Sequence, residues 1–563
     1  MPVAQTPPIA RRPLPPAAEA AWLSILFVAA AALLAAGAWR IGFQPGERVY
    51  AQVGREIAPG SALVVMHRLG NVYPDKPPVV FWMEAISFRL MGGSTPLAAR
   101  LPVAVLALAG LGFAYLLMRR LEGARVALIG AAALLVSMRF AWQAKHLNLD
   151  LPMCAFLWGA FWASAKILFP PAGGRPAGAA WAWFAWTMLG LAVLANGLAA
   201  LVWPAALILY ALLTRRYDPL RRHLFWAGLA WAAAIVALWF VPAATMGGRD
   251  YYRPMFQFGL LERLCAFPGM DRPSWTFLDR IPLGALPMGL LLPAGLWCAW
   301  RERRRPGPAR GLFVVCWLIS GVAFLGVPIP DGDHSLLVIY PAIAILAARF
   351  IDAGFGARRP HRLLWFHALL ACLIALVCVP ALIALLIFKP ALFPAAPPGR
   401  YVLGTLAALT FGGGAAGYLV KRRRLKASIA VLALVAWYGY ILLFAYYMPV
   451  IYDDRLPRQV ASGLNKRLAA GEAVGFMNTG TAASLYMTRD PHWLRSPGDV
   501  RIFMAHEDQR WLLTTAGGFS RLGNPGWPVR EQWGEATGSE PLILVGNRVL
   551  SILPEVLYES PKK

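Results

Sequence analysis

The chain has 563 residues, 58% of them hydrophobic and only 15% charged, with a mean hydropathy of +0.54. Ordinary soluble domains carry about 25% charged residues, so a soluble globular enzyme is excluded, and 23 Trp with 28 Phe exclude disorder. The net charge of +26 fits basic loops against anionic lipid, and no nucleic-acid partner is expected. Six Cys stand singly without Cys-x-x-Cys spacing, five of them in apolar runs (Cys154, Cys298, Cys316, Cys372, Cys378) and Cys265 in a polar segment, which indicates neither a zinc site nor a disulfide framework.

In chain order, the run Ala21 to Ile41 is long enough to span a bilayer and reads as a retained anchor. Further runs follow at Leu101–Met118, Val126–Phe140, Leu151–Phe169, Ala179–Ala195, Leu198–Leu213, Leu224–Thr245, Ile281–Trp300, Gly311–Gly326, Ser335–Phe350, Leu363–Phe388, Tyr401–Val420 and Ala427–Tyr447, thirteen in all. The basic clusters Arg119/Arg120/Arg125, Arg215/Arg216/Arg221/Arg222, Arg301/Arg303/Arg304/Arg305, Arg358/Arg359/Arg362 and Lys421/Arg422/Arg423/Arg424/Lys426 fall in alternate connections, on the side of Arg11 and Arg12. That side is cytoplasmic by the positive-inside rule.

The expected organisation is a cytoplasmic segment 1–20, a transmembrane domain 21–447 with outer loops 42–100 and 246–280, and a C-terminal outer domain 448–563. Loop 42–100 holds two helix-like stretches, Glu47–Ile57 and Val79–Leu90, which suit amphipathic helices lying in the interface. After Asp453/Asp454 a polar helix pattern and short apolar runs separated by Gly, Pro and Asn predict a small α/β domain of about 110 residues. No internal repeat is present.

The polar residues with chemical potential all lie on the outer side. Glu47, in Gln44-Pro45-Gly46-Glu47-Arg48-Val49-Tyr50, is either a first-turn acid favoured by the helix dipole or a carboxylate facing a headgroup cavity. In Tyr73-Pro74-Asp75-Lys76-Pro77-Pro78 the prolines hold the Lys76 ammonium just before a helix, a placement suited to phosphate; the alternative is a snorkelling anchor. Asp150 stands at the mouth of a span after Lys145-His146-Leu147-Asn148-Leu149, as an N-cap or as a second carboxylate able to act as base. The segment Met246–Arg280 adds Arg249, Arg253, Glu262, Arg263, Asp271 and Arg272 with Tyr251, Tyr252 and Trp275, and Asp331, Asp333 and His334 form a weak metal-type cluster.

Taken in order, the acidic residue with Tyr50-Ala51 shortly after it, Tyr73-x-x-Lys76-Pro77-Pro78 followed by Trp82, Ala98-Ala99-Arg100-Leu101-Pro102, Asp150-x-Pro152, Arg263, Leu286-Pro287, Tyr340-Pro341 and Ser484-Leu485-Tyr486 resemble the membrane-embedded GT-C glycosyltransferases. The nearest branch is that of the bacterial lipid A aminoarabinose transferases and their protein O-mannosyltransferase relatives. The resemblance implies a polytopic all-α membrane protein of about 13 transmembrane helices, with outer interfacial helices and a small C-terminal periplasmic α/β domain, in the bacterial inner membrane. It implies transfer of a sugar from a polyprenyl-phosphate carrier to a lipid, glycan or protein acceptor. The alternative is a silent relative that binds the carrier lipid or partners an active enzyme. It further implies Asp150 and Glu47 as catalytic acids, Lys76, Tyr50, Tyr73, Arg263 and Arg48 as substrate-binding residues, and a divalent metal held by Asp75 and Glu47. Four positions depart from the family pattern: its Asp-Glu pair reads Gly46-Glu47, its next Arg reads Val49, its Lys-Gly reads Asn196-Gly197, and a His before the loop Arg reads Leu260.

Overall fold

The computed structural model describes residues 14–57, 63–171, 177–256, 280–302, 309–325, 335–356, 399–453, 455–479, 482–489, 491–523, 526–533 and 541–547, with a few positions between 365 and 377. Arg263, Leu260, Glu262, Asp271, Arg272, Trp275, Asp331, Asp333, His334 and most of the run 363–388 lie outside the described residues.

Helix α1 (Pro16–Ala35) is the first apolar helix, starting on Pro16 and ending before Gly37. Gly37 adopts φ +66°, and a Cβ there would lie 2.0 Å from the Phe444 carbonyl oxygen, so only glycine allows this close crossing. Helix α2 (Pro45–Glu56) opens with Pro45 and a capping box between Gln44 and Glu47. A two-residue hairpin, β1 (His67–Arg68) with β2 (Asn71–Val72), leads to α3 (Val79–Met91), which stops at Gly92 with φ +73°. Buried Val80, Phe81, Glu84, Ala85 and Phe88 line one side of α3, while Ile86, Leu90 and Met91 are exposed. Helices α2 and α3 therefore dock on each other and on the bundle, and only one edge of α3 remains apolar and outward, as an interfacial helix requires.

Helix α4 (Pro96–Glu122), α5 (Ala124–Leu135), α6 (Met138–Gln143), α7 (Asp150–Leu168), α8 (Ala179–Asn196) and α9 (Val202–Thr214) follow. Helix α7 is the buried centre, packed on α4 and α8. Later helices cover Phe225–Gly247, Leu292–Glu302, Arg310–Leu325, Tyr340–Gly356, Gly399–Lys421 and Leu425–Leu442.

Among the described residues seven helical segments are long and apolar enough to cross a membrane, with three shorter apolar helices, rather than the thirteen full spans expected. The differences have local causes. The run Val126–Phe140 is broken at Val136-Ser137 into α5 and α6, and a 12-residue helix rises only about 18 Å. The apolar stretch Ala179–Thr214 counts as one run by hydropathy, yet Gly197 at φ +72° divides it into α8 and α9, in agreement with the two expected runs Ala179–Ala195 and Leu198–Leu213. The run 281–300 is interrupted before its helix Leu292–Glu302.

Beyond residue 452 a five-stranded mixed sheet runs in the order β4-β3-β5-β7-β6, with β3 (Ala473–Phe476), β4 (His492–Trp493), β5 (Arg510–Thr515), β6 (Val529–Trp533) and β7 (Leu542–Gly546). Period-two alternation sorts its side chains. Trp511, Leu513 and Leu544 face Val460, Leu464 and Leu468 of helix Arg455–Ala469, while Leu512, Ile543 and Val545 face Val500, Phe503 and Met504 of helix Pro497–Met504.

Candidate active site

The start of α4 and the ends of α1, α6 and α8 meet α2 at one end of the bundle, where a polar cluster is buried. Arg100, at the fifth position of α4, is its hub. Its Nε donates to Glu47 Oε1 (2.8 Å) and its Nη2 to Glu47 Oε2 (2.5 Å), while Nη1 and Nη2 reach the carbonyls of Ile41 (2.8 Å) and Gly42 (2.7 Å). Glu47 also accepts from the backbone N–H of Gln44 (2.9 Å) and of Leu147 (2.7 Å). Burial alone would raise the Glu47 carboxyl, but the Arg100 charge and hydrogen bonds, aided by His146 and Gln44, hold it below its ordinary value.

The connection 144–149 ties the same end to α1. Lys145 Nζ donates to the carbonyls of Leu34 (2.6 Å) and Ala36 (2.5 Å), capping the helix. Burial, with Arg100 nearby, lowers the Lys145 ammonium to about 7, and burial lowers His146 to about 4. His146 lies against Trp142 with ring centres 4.3 Å apart, and its Nδ1 meets the Trp142 carbonyl at 2.6 Å.

Asp150 is the first residue of α7 and is buried. It is not the cap, because Asn148 Oδ1 accepts from the Leu151 N–H (2.8 Å) in that role. Asp150 Oδ1 instead accepts from Asn196 Nδ2 (2.7 Å). The α8–α9 break at Asn196-Gly197 thus lies beside the α7 entrance.

Lys76 is half-buried two residues before Pro78, the cap position of α3, and its ammonium has no hydrogen-bond or ion-pair partner among the described residues. Tyr50 of α2 and Tyr73 flank Phe81, with ring centres 6.0 and 6.1 Å from it. Burial, with Tyr50 and Asp75 close by, raises the Tyr73 phenol well above its ordinary value. Arg48 is half-buried on α2, and Asp75 is exposed.

The expected metal does not fit these residues. Both Glu47 oxygens are spent on a guanidinium and two backbone N–H groups, an arrangement that repels a dication. Among the described residues no three His, Cys, Asp or Glu side chains converge on a common point, and Asp75 is exposed.

Two participants escaped the reading of the sequence as site residues. Arg100 was visible only as part of a motif, although an Arg at the opening of an apolar span is itself a signal. Glu84 is fully buried on α3, both its oxygens lack a partner among the described residues, and a Cβ on Gly54 would sit 2.9 Å from its Cβ. Burial, with Glu47 adding repulsion, raises its carboxyl well above the ordinary value, which favours the neutral acid. Its signal was a single charge among Phe81, Trp82, Ile86 and Phe88.

Residues 75–241 match the family described as dolichyl-phosphate-mannose-protein mannosyltransferase. An undecaprenyl phosphate-alpha-4-amino-4-deoxy-L-arabinose arabinosyl transferase of Pseudomonas aeruginosa is 32% identical over 295 residues, 50% of this chain and 50% of that protein. A second arabinosyl transferase of that name, from Proteus mirabilis, is 27% identical over 320 residues, 55% and 56% of the two chains. The chain thus spans about half the length of these curated relatives. The crystal structure of ArnT from Cupriavidus metallidurans bound to undecaprenyl phosphate superposes with a TM-score of 0.75 at 20% identity, over 95% of this chain and 99% of that one. In fold over nearly its whole length, and in sequence over about half of it, the chain resembles the membrane-embedded GT-C glycosyltransferases of the lipid A aminoarabinose transferase branch.

Proposed function

We propose that this protein transfers a sugar from a polyprenyl-phosphate carrier to a hydroxyl-bearing acceptor, lipid A-like, at the periplasmic face of the bacterial inner membrane, with its N-terminus cytoplasmic. The relatives are named for undecaprenyl-phosphate-linked aminoarabinose, and the similar ArnT structure holds undecaprenyl phosphate. The observation that carries the reading is the Lys76 ammonium, without a partner among the described residues, held by two prolines beside Tyr73 and Phe81 in the segment that precedes α3.

In this reading Lys76, with the N-terminus of α3 and Tyr50 and Tyr73, receives the carrier phosphate; Arg48 and Arg263 add positive charge. The acceptor oxygen attacks the anomeric carbon, and the bond to the phosphate oxygen breaks with its electron pair moving to the phosphate. Lys76 neutralises that developing charge. Asp150, aimed by Asn196, takes the acceptor proton. Glu47 is a positioning residue: clamped by Arg100, it fixes α2 against the 144–149 connection and so sets Tyr50 relative to Asp150.

The test is release of polyprenyl phosphate from a lipid-linked sugar by membranes containing the protein. Lys76→Ala is expected to cost about 2 kcal/mol or more of transition-state stabilisation, and Asp150→Asn about 10²–10⁴-fold in rate. Unchanged turnover in both folded variants would remove the site assignment, and absence of release by the wild type with every lipid-linked sugar would remove the transferase reading.

A further inference from the structure

We propose that the cleft between the β1–β2 hairpin and the C-terminal sheet is a docking site for an anionic saccharide, the headgroup of the acceptor; this rests on the transferase reading above. The cleft has a volume of about 170 Å³ and is lined by Leu69 and Asn71 on one wall and by Asn478, Thr479, Trp493 and Arg495, with their neighbours, on the other. At about 30 Å³ per water this is the share of roughly six water molecules, enough to be displaced by a sugar ring.

The lining has the chemistry of sugar recognition. Trp493 is half-buried and fixed edge-on against Phe476, with ring centres 5.4 Å apart, so one aromatic surface is held rigidly at the wall. Asn71 and Asn478 are exposed amides able both to donate to and to accept from hydroxyls. Thr479 Oγ1 is buried without a hydrogen-bond partner among the described residues, a deficit that a ligand hydroxyl would relieve. The Arg495 side chain is exposed and makes no side-chain hydrogen bond among the described residues; its charge acts on the nearby Asp499 carboxylate, to whose Oδ2 its backbone N–H donates at 3.0 Å. A guanidinium at the rim of a polar cleft selects a phosphate or carboxylate on the sugar.

Both walls are also conformationally constrained. Leu69 (φ +55°) and Asn478 (φ +54°), one on each side, are two of the five non-glycine residues in the left-handed region among the described residues. Leu69 is held there because the Glu56 carboxylate accepts from its N–H (2.6 Å) and from that of Gly70 (3.1 Å). Glu56 is the last residue of α2 and also accepts from Gln52 Nε2 (2.6 Å), whose Oε1 accepts from Ser484 Oγ (3.2 Å) of the C-terminal domain. The cleft therefore sits at the far end of α2 from Glu47. Residues 73–76 continue directly from its hairpin wall to Lys76, which sets an acceptor sugar docked here along the approach to the carrier phosphate.

The test is a saturation-transfer NMR titration of the full-length protein in detergent with glucose 1-phosphate, glucose and inorganic phosphate as separate probes. The ring protons of glucose 1-phosphate should receive saturation more strongly than those of glucose, and Trp493→Ala and Arg495→Ala should each weaken that binding at least ten-fold. Arg495 is on the surface, so its variant folds even where the loss of Trp493 disturbs the sheet. Equal titrations of wild type and Arg495→Ala overturn the proposal. So does displacement of the sugar phosphate by inorganic phosphate at equal concentration, which would leave a plain anion site. Binding is read without turnover, so a protein that binds but does not transfer refutes only the transferase reading, and one that transfers without this binding refutes only the cleft.

Discussion

Glu84 has no charge to share with a neighbour, and its burial fixes the sign of its effect on stability. In the folded chain the carboxyl is neutral; once unfolded it ionises above its ordinary value of 4.5. Unfolding then releases a proton, so the wild type loses stability as pH rises from about 4.5 towards the raised folded value, by up to about 1.4 kcal/mol per pH unit. Glu84→Gln removes that slope. Melting of the purified protein at pH 5 and pH 8 should show the variant gaining on the wild type at the higher pH, and parallel pH profiles would mean that Glu84 is ionised and paired. Gly46 permits a second test. It is exposed at the second position of α2, and a Cβ built there meets nothing within 4 Å. Gly46→Asp should therefore fold at least as well as the wild type, with a gain of about 0.3–1 kcal/mol from the helix dipole, and should raise sugar transfer. A drop in transfer with intact melting would show that the pocket has adapted to the missing acid. At this scale the sequence exposed the acids and the lysine but not their pairing, because Arg100 and Glu47 are 53 positions apart and nothing local announces that they meet.

Among the elements, α2 and α3 were legible to within a few residues, since Pro45, the capping box and Gly92 are local signals. The break at Ser137 was hidden in an apolar run, because hydropathy averages across it, whereas the polar Asn196 with Gly197 marked the division between the runs Ala179–Ala195 and Leu198–Leu213. Where glycine is forced by a crossing, the consequence is measurable. Gly37→Ala would place a methyl 2.0 Å from the Phe444 carbonyl oxygen in a backbone region that alanine avoids. A loss of more than about 1 kcal/mol is expected, visible as a lowered melting temperature in detergent. An unchanged value would mean that α1 and the Phe444 segment separate freely.

Across the whole molecule, the two ends of the bundle differ in character. At the end opposite the Arg100 cluster, Glu19 accepts from Tyr115 (2.5 Å) and is paired with Arg119, and Arg349 pairs with Glu122 at 3.1 Å. Helix α4 runs from one cluster to the other, 27 residues or about 40 Å. With the basic connections on the Glu19 end, the positive-inside rule predicts that the sheet domain lies outside. A cysteine at Ile502, which is 78% exposed, should react in intact spheroplasts with an impermeant maleimide, and one at Arg216 should react only after lysis. The reverse pattern would invert the topology. The mixed sheet was foreshadowed by its short runs, but its order was not, because β4 and β6 are short edge strands with few buried residues.

The hub at Arg100 also has a temporal meaning. All its partners, Ile41, Gly42 and Glu47, lie upstream of it, and Leu147 completes the cage. Ser94 Oγ, by contrast, donates to the Leu485 carbonyl, so the sheet domain reaches this end only about 340 residues later. At roughly 5–20 residues per second that interval is on the order of 20–70 s of translation. The first spans can therefore lock together while the ribosome is still engaged, and the sheet domain arrives at a surface already formed.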